Sequence, residues 1–249
     1  LFKYMDWKIP KYFHIPLIHS TEGKKLSKRD NASTTDDYKK IGILPIALRN
    51  YLLRLGWSYK DKEIFNNEES IKFFNLKNIG KSPSKLDFER IKSLNEYYIK
   101  NLNEKDLCNY FVNFLNEYKE KIDEKYLKII FENLNILKNK AKTLEDIFNN
   151  SRFIFDYDHT LILKSNLITE KNKVYLRDFL KEISEIEGYC DNKIVEISES
   201  VLKKNNIKFK ELGEPLRMIL TGSSKAPSIK EIVKILGKDE TISRLKKYI

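Results

Sequence analysis

Apolar positions recur at helical spacing over most of the chain, and the exceptions gather at its front. Phe2, Tyr4, Trp7, Ile9, Tyr12 and Phe13 follow no single period, and Pro10 and Pro16 forbid one long helix. His14-Ile15-Pro16-Leu17-Ile18 is a short apolar run that reads as a buried strand. Beyond Asp30 the helical period takes over. Thr34 or Thr35, with Asp36 and Asp37 behind it, predicts a helix start; Pro45 suits a first helical turn, Leu48, Leu52 and Leu55 follow at helical spacing, and Gly56 supplies the stop. Glu68 and Glu69 open a helix with Ile71, Phe73 and Phe74. Lys81-Ser82-Pro83-Ser84 reads as a turn, and Asp87 then caps a helix whose apolar side is Ile91, Leu94, Tyr98 and Leu102.

From Asn103 onward amphipathic helices succeed one another across short polar connections, as a helical bundle requires. Leu107, Tyr110, Phe111, Phe114 and Tyr118 define one stripe, and Leu127, Ile130, Leu134 and Leu137 the next. Thr143 with Asp146 forms a capping box ahead of Leu144, Ile147 and Phe148. Arg152 to Asp158 reads as extended, and Lys164 to Lys173 is a weakly patterned link. Leu176, Phe179, Leu180 and Ile183 resume the period, followed by Ile194, Ile197 and Val201. Pro215 is expected to open a helix that Gly222 closes. Ser228 with Glu231 makes a second capping box, Gly237 ends that helix, and a short last helix carries Ile242 and Leu245. No repeat at solenoid periods is evident.

A chain of 249 residues can bury a sizeable core, and the length also permits small domains in series. Its 47 Lys and Arg against 36 Asp and Glu give a net charge of +11. That charge favours a polyanionic partner, with nucleic acid foremost; a Lys- and Asn-rich composition with no binding purpose is the competing reading. Cys108 and Cys190 lie far apart beside apolar patterns, so they read as core thiols and form neither a disulfide framework nor a metal knuckle. No stretch reaches the roughly eighteen apolar residues that span a bilayer, and the chain reads as soluble and intracellular. It begins at Leu1, which fits the C-terminal piece of something longer.

The chemistry gathers in a basic loop, Gly23-Lys24-Lys25-Leu26-Ser27-Lys28-Arg29-Asp30. A solvated basic turn is the ordinary explanation of such a run. Lying between a strand signal and a helix start, however, its ammonium groups are suited to gripping a polyphosphate. Lys25-Leu26-Ser27-Lys28-Arg29 resembles the KMSKS signature loop of class I aminoacyl-tRNA synthetases, in the KLSKR form typical of bacterial-type glutamyl-tRNA synthetases. The resemblance continues through Gly42-Ile43-Leu44-Pro45, Ala47-Leu48, Asn50-Tyr51-Leu52 and Leu55-Gly56-Trp57-Ser58. It extends through Phe65, Phe73 and the helix of Asp87, Asn95 and Tyr98, and returns at Pro215-Leu216-Arg217 and Leu220-Thr221-Gly222. Residues 160 to 205 carry none.

That resemblance implies a mainly α chain with a short strand remnant of the α/β class I catalytic domain. Residues 1–30 would be the end of the catalytic domain, 31–102 a helical stem-contact region, and 103–160 and 161–249 two anticodon-binding helical subdomains. Lys28 would bind ATP, with Lys25 assisting on the phosphates; these are the implied catalytic residues. ATP accompanied by Mg2+ would serve the parent enzyme, and no metal site is visible in this chain. Lys140, Arg217, Pro227 and Ile229 would contact tRNA. Lys140 stands where some relatives place an arginine that reads the first anticodon base, Ala226 where a threonine is often found, and Glu214 where a glutamine is common. The other phosphate signature, His-x-Gly-His, is absent: His14, His19 and His159 do not have that spacing. The isolated chain is therefore expected not to activate glutamate. The implied partners are tRNA(Glu), with ATP and glutamate in the complete enzyme, in a cytoplasmic monomer that touches no membrane. A synthetase that also charges tRNA(Gln), or a stand-alone helical RNA-binding module, are the alternatives. A glutamine-specific enzyme fits less well, since its C-terminal half is β-barrel.

Overall fold

The computed structural model describes all residues except 21, 25–33, 159, 161, 163–164, 188–190 and 225. The chain forms two compact units, Leu1–Asn101 and Leu102–Ile249.

In the first unit the helix starts follow the cap chemistry. Thr34, not Thr35, is the cap of α1 (Thr35–Lys40): its Oγ1 accepts the Asp37 N–H at 3.3 Å, and its own N–H donates to Asp37 Oδ2 at 2.8 Å. Pro45 begins α2 (Pro45–Arg54), where its missing N–H costs nothing. Asn66 caps α3 (Asn67–Phe73). A turn of 3-10 helix follows at Leu76–Asn78. Asp87 Oδ1 accepts the Arg90 N–H at 3.1 Å at the start of α4 (Phe88–Asn101). Helix α2 packs on α4, with Leu44, Ala47, Tyr51, Ile91 and Ile99 buried in this unit.

Polar side chains tie the loops to these helices. Asn95 Oδ1 accepts the Leu44 N–H at 2.8 Å while its Nδ2 donates to the Gly42 carbonyl at 3.3 Å. Asn50 does the same for the segment ahead of α3, donating to Glu63 O at 2.9 Å and accepting from Phe65 N–H at 2.7 Å. Tyr51 Oη accepts the Asp87 N–H at 2.7 Å, and Tyr98 Oη donates to Phe65 O at 3.1 Å. Burial holds both phenols above their ordinary range. Each bond satisfies a main-chain group that would otherwise be stranded away from water.

One expectation for this unit needs correction. The strand is only Ile18–His19 (β1), paired in parallel with Ser84–Lys85 (β2), and Ile15 is 77% exposed. Pro16 has no N–H to give a ladder, so pairing starts only at the Leu17 carbonyl, which accepts the Ser84 N–H at 3.0 Å. Helix α3 buries none of its residues, and Ile71 is 79% exposed. Its aromatic end instead meets other rings: Phe73 stacks on Tyr59 at 4.5 Å, and Phe74 lies 5.8 Å from Trp57. Gly56 is required where it stands, since its φ is +109° and an added Cβ would lie 3.0 Å from Pro16 Cγ.

The second unit is a succession of helices: α5 (Glu104–Tyr118), α6 (Glu124–Glu132), α7 (Leu134–Leu137), α8 (Leu144–Phe155), α9 (Glu170–Glu185), α10 (Asp191–Asn205), α11 (Phe209–Thr221) and α12 (Ile229–Lys246). Helices α5 to α8 pack among themselves, α9 to α12 pack among themselves, and α8 meets α11. Phe111, Ile130, Leu137 and Ile147 fill the first group; Leu176, Phe179, Ile183, Val201, Leu216, Ile219 and Leu245 fill the second.

Here too the helical periods hold, and some boundaries differ from those expected. Arg152–Phe155 is helical rather than extended, because Phe153 and Ile154 continue the buried side of α8 and Arg152 pairs with Asp156 one turn on. Helix α11 begins at Phe209, so Pro215 lies inside it. A proline there removes one bond to the preceding turn, at about 3 kcal/mol; the burial of Leu212, Leu216, Ile219 and Leu220 along the same helix offsets it. Gly237 interrupts Ile229–Lys246 with φ +76° and ψ 168°, where the sequence put the end of one helix and the start of a short last one. Cys108 is half-buried, with burial pushing its thiol up; Cys190 lies outside the described residues.

Candidate nucleic-acid interface

Lys25 and Lys28, the expected ATP-loop residues, lie outside the described residues. Their flanks are held at both ends. Upstream, Ser20 N–H donates to Lys24 O at 2.7 Å and Gly23 N–H to Ser20 O at 3.0 Å; downstream stands the Thr34 capping box. His14 is exposed and His19 belongs to β1.

Arg217 sits one turn from the C-terminal end of α11, beside a loop that its own helix end constructs. Gly222 takes the left-handed conformation, φ +74°, and its N–H donates to Met218 O at 2.8 Å. The Thr221 hydroxyl lies 2.7 Å from Arg217 O and accepts the Ser223 N–H at 3.2 Å. Arg217 Nε donates to Ser224 O at 3.1 Å. One edge of the guanidinium is thereby fixed to the loop, and among the described residues no hydrogen bond engages the terminal nitrogens of this half-exposed side chain. Gly213 makes room for this arrangement: a Cβ there would stand 3.1 Å from Phe209 Cε1 and 3.5 Å from Arg217 Nη1.

The loop returns to helix at Ser228, whose N–H donates to Glu231 Oε2 at 2.8 Å. Pro227 is half-buried in that loop, whereas Ile229 is only 3% exposed. The structure therefore sets Arg217, at the end of α11, against the loop that carries Pro227 and sends Ile229 into the core, because the first turn of α12 must bury an apolar residue to dock. Ile229 can fix the loop's end but offers almost no surface to a partner. Ala226 is half-buried, and Glu214 lies 3.7 Å from Lys210 on the same helix.

Lys140 occupies a separate turn between α7 and α8. Its φ of +64° is the left-handed conformation that side chains disfavour. Neighbours hold the turn: Lys142 and Thr143 N–H groups donate to Asp146 Oδ2 at 2.9 and 3.0 Å, and Asn150 Nδ2 reaches Leu137 O at 2.9 Å. The exposed ammonium is thus carried on a braced turn. Sequence reasoning missed two residues behind these loops, Tyr157 and Arg244. Arg244 carried one legible signal: it stands beside Leu245 in the apolar pattern of the last helix, where a cation must find buried partners.

Among the described residues no group of three or more His, Cys, Asp or Glu side chains could hold a metal ion. Among them, too, no helix is long and apolar enough to cross a membrane.

Residues 1–93 match the family described as tRNA synthetases class I (E and Q), catalytic domain, and residues 104–249 match the anticodon binding domain. The class is therefore a class I aminoacyl-tRNA synthetase whose catalytic part is followed by a helical anticodon-binding domain. A glutamate–tRNA ligase of Pelagibacter ubique is 52% identical over 97% of this chain, and one of Wolbachia pipientis is 37% identical over 98%. The chain belongs to the glutamate–tRNA ligase family. It spans 52% and 53% of the length of those two relatives. A glutamate–tRNA ligase of Elizabethkingia meningosepticum, solved with its amino acid, superposes with a TM-score of 0.78 at 26% identity, over 99% of this chain and 53% of that one. The glutamate–tRNA synthetase of Elizabethkingia anophelis gives a TM-score of 0.73 at 26% identity, over all of this chain and 52% of its own.

Proposed function

We propose that this chain is the tRNA-holding half of an enzyme that activates glutamate with ATP and transfers it to tRNA(Glu). The observation that carries the reading is Arg217, its guanidinium pinned by Ser224 O at the C-terminal end of α11. Anticodon bases are single-stranded and can be splayed against such a loop, where a planar fork reads their edges and an apolar neighbour such as Pro227 packs on their faces. In that arrangement Ile229 anchors the loop and Lys140 supplies a second cationic contact. The net charge of +11 adds attraction for the phosphate backbone.

In the complete enzyme the glutamate carboxylate attacks the α-phosphate of ATP and pyrophosphate leaves. We assign Lys28, assisted by Lys25, to neutralise charge on the phosphates in that step, with Mg2+ accompanying the nucleotide. Replacing Lys28 by Ala is expected to lower adenylate formation by the complete enzyme on the order of 10²-fold. The 249-residue chain by itself is expected to show no ATP–pyrophosphate exchange.

The deciding experiment is binding of the chain to tRNA transcripts with swapped anticodons across a salt series. An anticodon reader loses about 1 to 3 kcal/mol per wrong base, by analogy with base readout elsewhere, and Arg217→Ala removes that preference. Indifference to the anticodon with a steep salt slope would show a binder of phosphates only. Lys140 favours a second reading, an enzyme serving both tRNA(Glu) and tRNA(Gln). Its ammonium is a point charge without the planar fork that discriminates one base edge from another, so equal binding of the two tRNAs would support it.

A further inference from the structure

We propose that Tyr157 and Arg244 act as a positioning pair that sets the Arg217 loop relative to the Lys140 turn, and that discrimination between anticodons depends on it. The inference rests on the reading of those loops as anticodon contacts.

A helix end leaves its last carbonyls without intrahelical partners. At α11 these are met from three directions. Met218 O receives the Gly222 N–H at 2.8 Å from the chain's own turn. Ile219 O receives the Tyr157 hydroxyl, and Leu220 O receives Arg244 Nη1 at 2.6 Å. Consecutive carbonyls of one helix are therefore gripped by side chains from two distant segments, the link after α8 and the last turn of α12.

The two gripping groups also hold each other. Arg244 Cζ lies 3.9 Å from the centre of the Tyr157 ring, and its Nε donates to Glu240 Oε1 at 2.7 Å. The Arg244 side chain is only 4% exposed. Its charge is thus met by a ring face, a carboxylate and the negative end of a helix. Burial keeps the Tyr157 phenol far above its ordinary range, so it remains a hydrogen-bond donor at any working pH.

The consequence is geometric. Helix α8 has the braced Lys140 turn before its first residue and Tyr157 two residues after its last. At 1.5 Å per residue it is a rod about 18 Å long, by standard helix geometry. Tyr157 fastens the far end of that rod to the last turn of α11, from which the Arg217 loop departs. Arg244 fastens the same turn to the short helix that follows Gly237. Two loops that contact one anticodon need their separation fixed, and Tyr157 and Arg244 both grip the helix end that lies between them.

The test uses Tyr157→Phe, which keeps the ring and its packing but loses the hydroxyl, and Arg244→Met, which keeps much of the volume but loses the charge. Each is compared with wild type for binding to the cognate transcript, an anticodon-swapped transcript and a transcript lacking the anticodon arm, alongside thermal unfolding. Wild type is expected to prefer the cognate anticodon. Tyr157→Phe is expected to unfold cooperatively, to lose about tenfold of that preference, roughly one base's worth, and to bind the armless transcript unchanged. Arg244→Met is expected to lose at least as much preference. Should Arg244→Met fail to fold, Tyr157→Phe alone decides. A folded Tyr157→Phe that keeps the full preference overturns the proposal, as does an equal loss of affinity for all three transcripts, which would mark a merely structural role. A wild type without any preference sinks the underlying reading instead.

Discussion

The front stretch, residues 1–17, and the α9–α12 bundle carry similar side chains and arrive at opposite ends. In the bundle Leu176, Phe179, Val201, Leu216 and Leu245 are sealed from water; at the front Leu1, Tyr4, Ile9, Tyr12 and Ile15 lie open to it. One difference is period. Residues spaced three and four apart share one helix face, so several stripes can be sealed against each other in a single step. At the front, prolines break any helical period, only Ile18–His19 of the described front residues finds a ladder partner within the unit, and the chain spans about half the length of its relatives. Apolar content tells how much surface wants covering. Its spacing tells whether the local chain can cover it.

The sharpest way to break that comparison is to cut a side chain in each region. Phe179→Ala should cost about 3 to 5 kcal/mol in urea unfolding, from lost transfer energy and the cavity left among tightly packed neighbours. Ile15→Ala should stay within about 0.5 kcal/mol of wild type. A cost at Ile15 approaching that at Phe179 would mean the front stretch is sealed in solution and the contrast is false.

The first unit adds a third kind of site, a buried polar tie, and a smaller effect is expected there. Asn95→Ala strands the Leu44 N–H and the Gly42 carbonyl, with an expected loss of about 2 to 3 kcal/mol. Asn95→Leu, which fills the volume but makes neither bond, should recover little of it. If Leu restored full stability, packing rather than hydrogen bonding would hold the α2–α4 pair together.

Asn95 also marks the limit of what the sequence disclosed. The resemblance singled it out, yet nothing local tells an amide destined for two main-chain partners from one on a wet helix face. Caps were legible because both partners lie within four residues: Thr34 with Asp37, Thr143 with Asp146, Ser228 with Glu231. Pro215 misled for the same reason, since a proline suits a first turn and only the buried leucines on either side reveal that the helix had already begun. At the candidate site Arg217 was legible through its motif and Ile229's burial was not. The Tyr157 and Arg244 grip joins positions 62 and 24 residues from their acceptors, beyond the reach of any periodicity.

Local ties supply the smaller tests. Thr143→Ala removes the acceptor for the Asp146 N–H, 3.0 Å away, and should cost about 1 kcal/mol. It also loosens the turn that carries Lys140, so tRNA affinity should fall further than stability alone accounts for; a change in stability without a change in affinity would separate the turn from the RNA. The smallest expected effect is acid-dependent. Hydrogen bonds from Lys204, then from Asn205, hold the Asp178 carboxyl below its ordinary value of 3.8 and tie α9 to α10. Because the folded value is the lower one, the unfolded chain takes up the proton first. The contribution is complete above the unfolded value and disappears as pH falls through the folded one. Between pH 6 and 3 the wild type should therefore lose slightly more stability than Lys204→Met, in which the main cause of the shift is gone. Parallel acid profiles for the two would show that the α9–α10 contact rests on Leu176, Phe179 and Val201 alone, and that the pair on its rim contributes nothing.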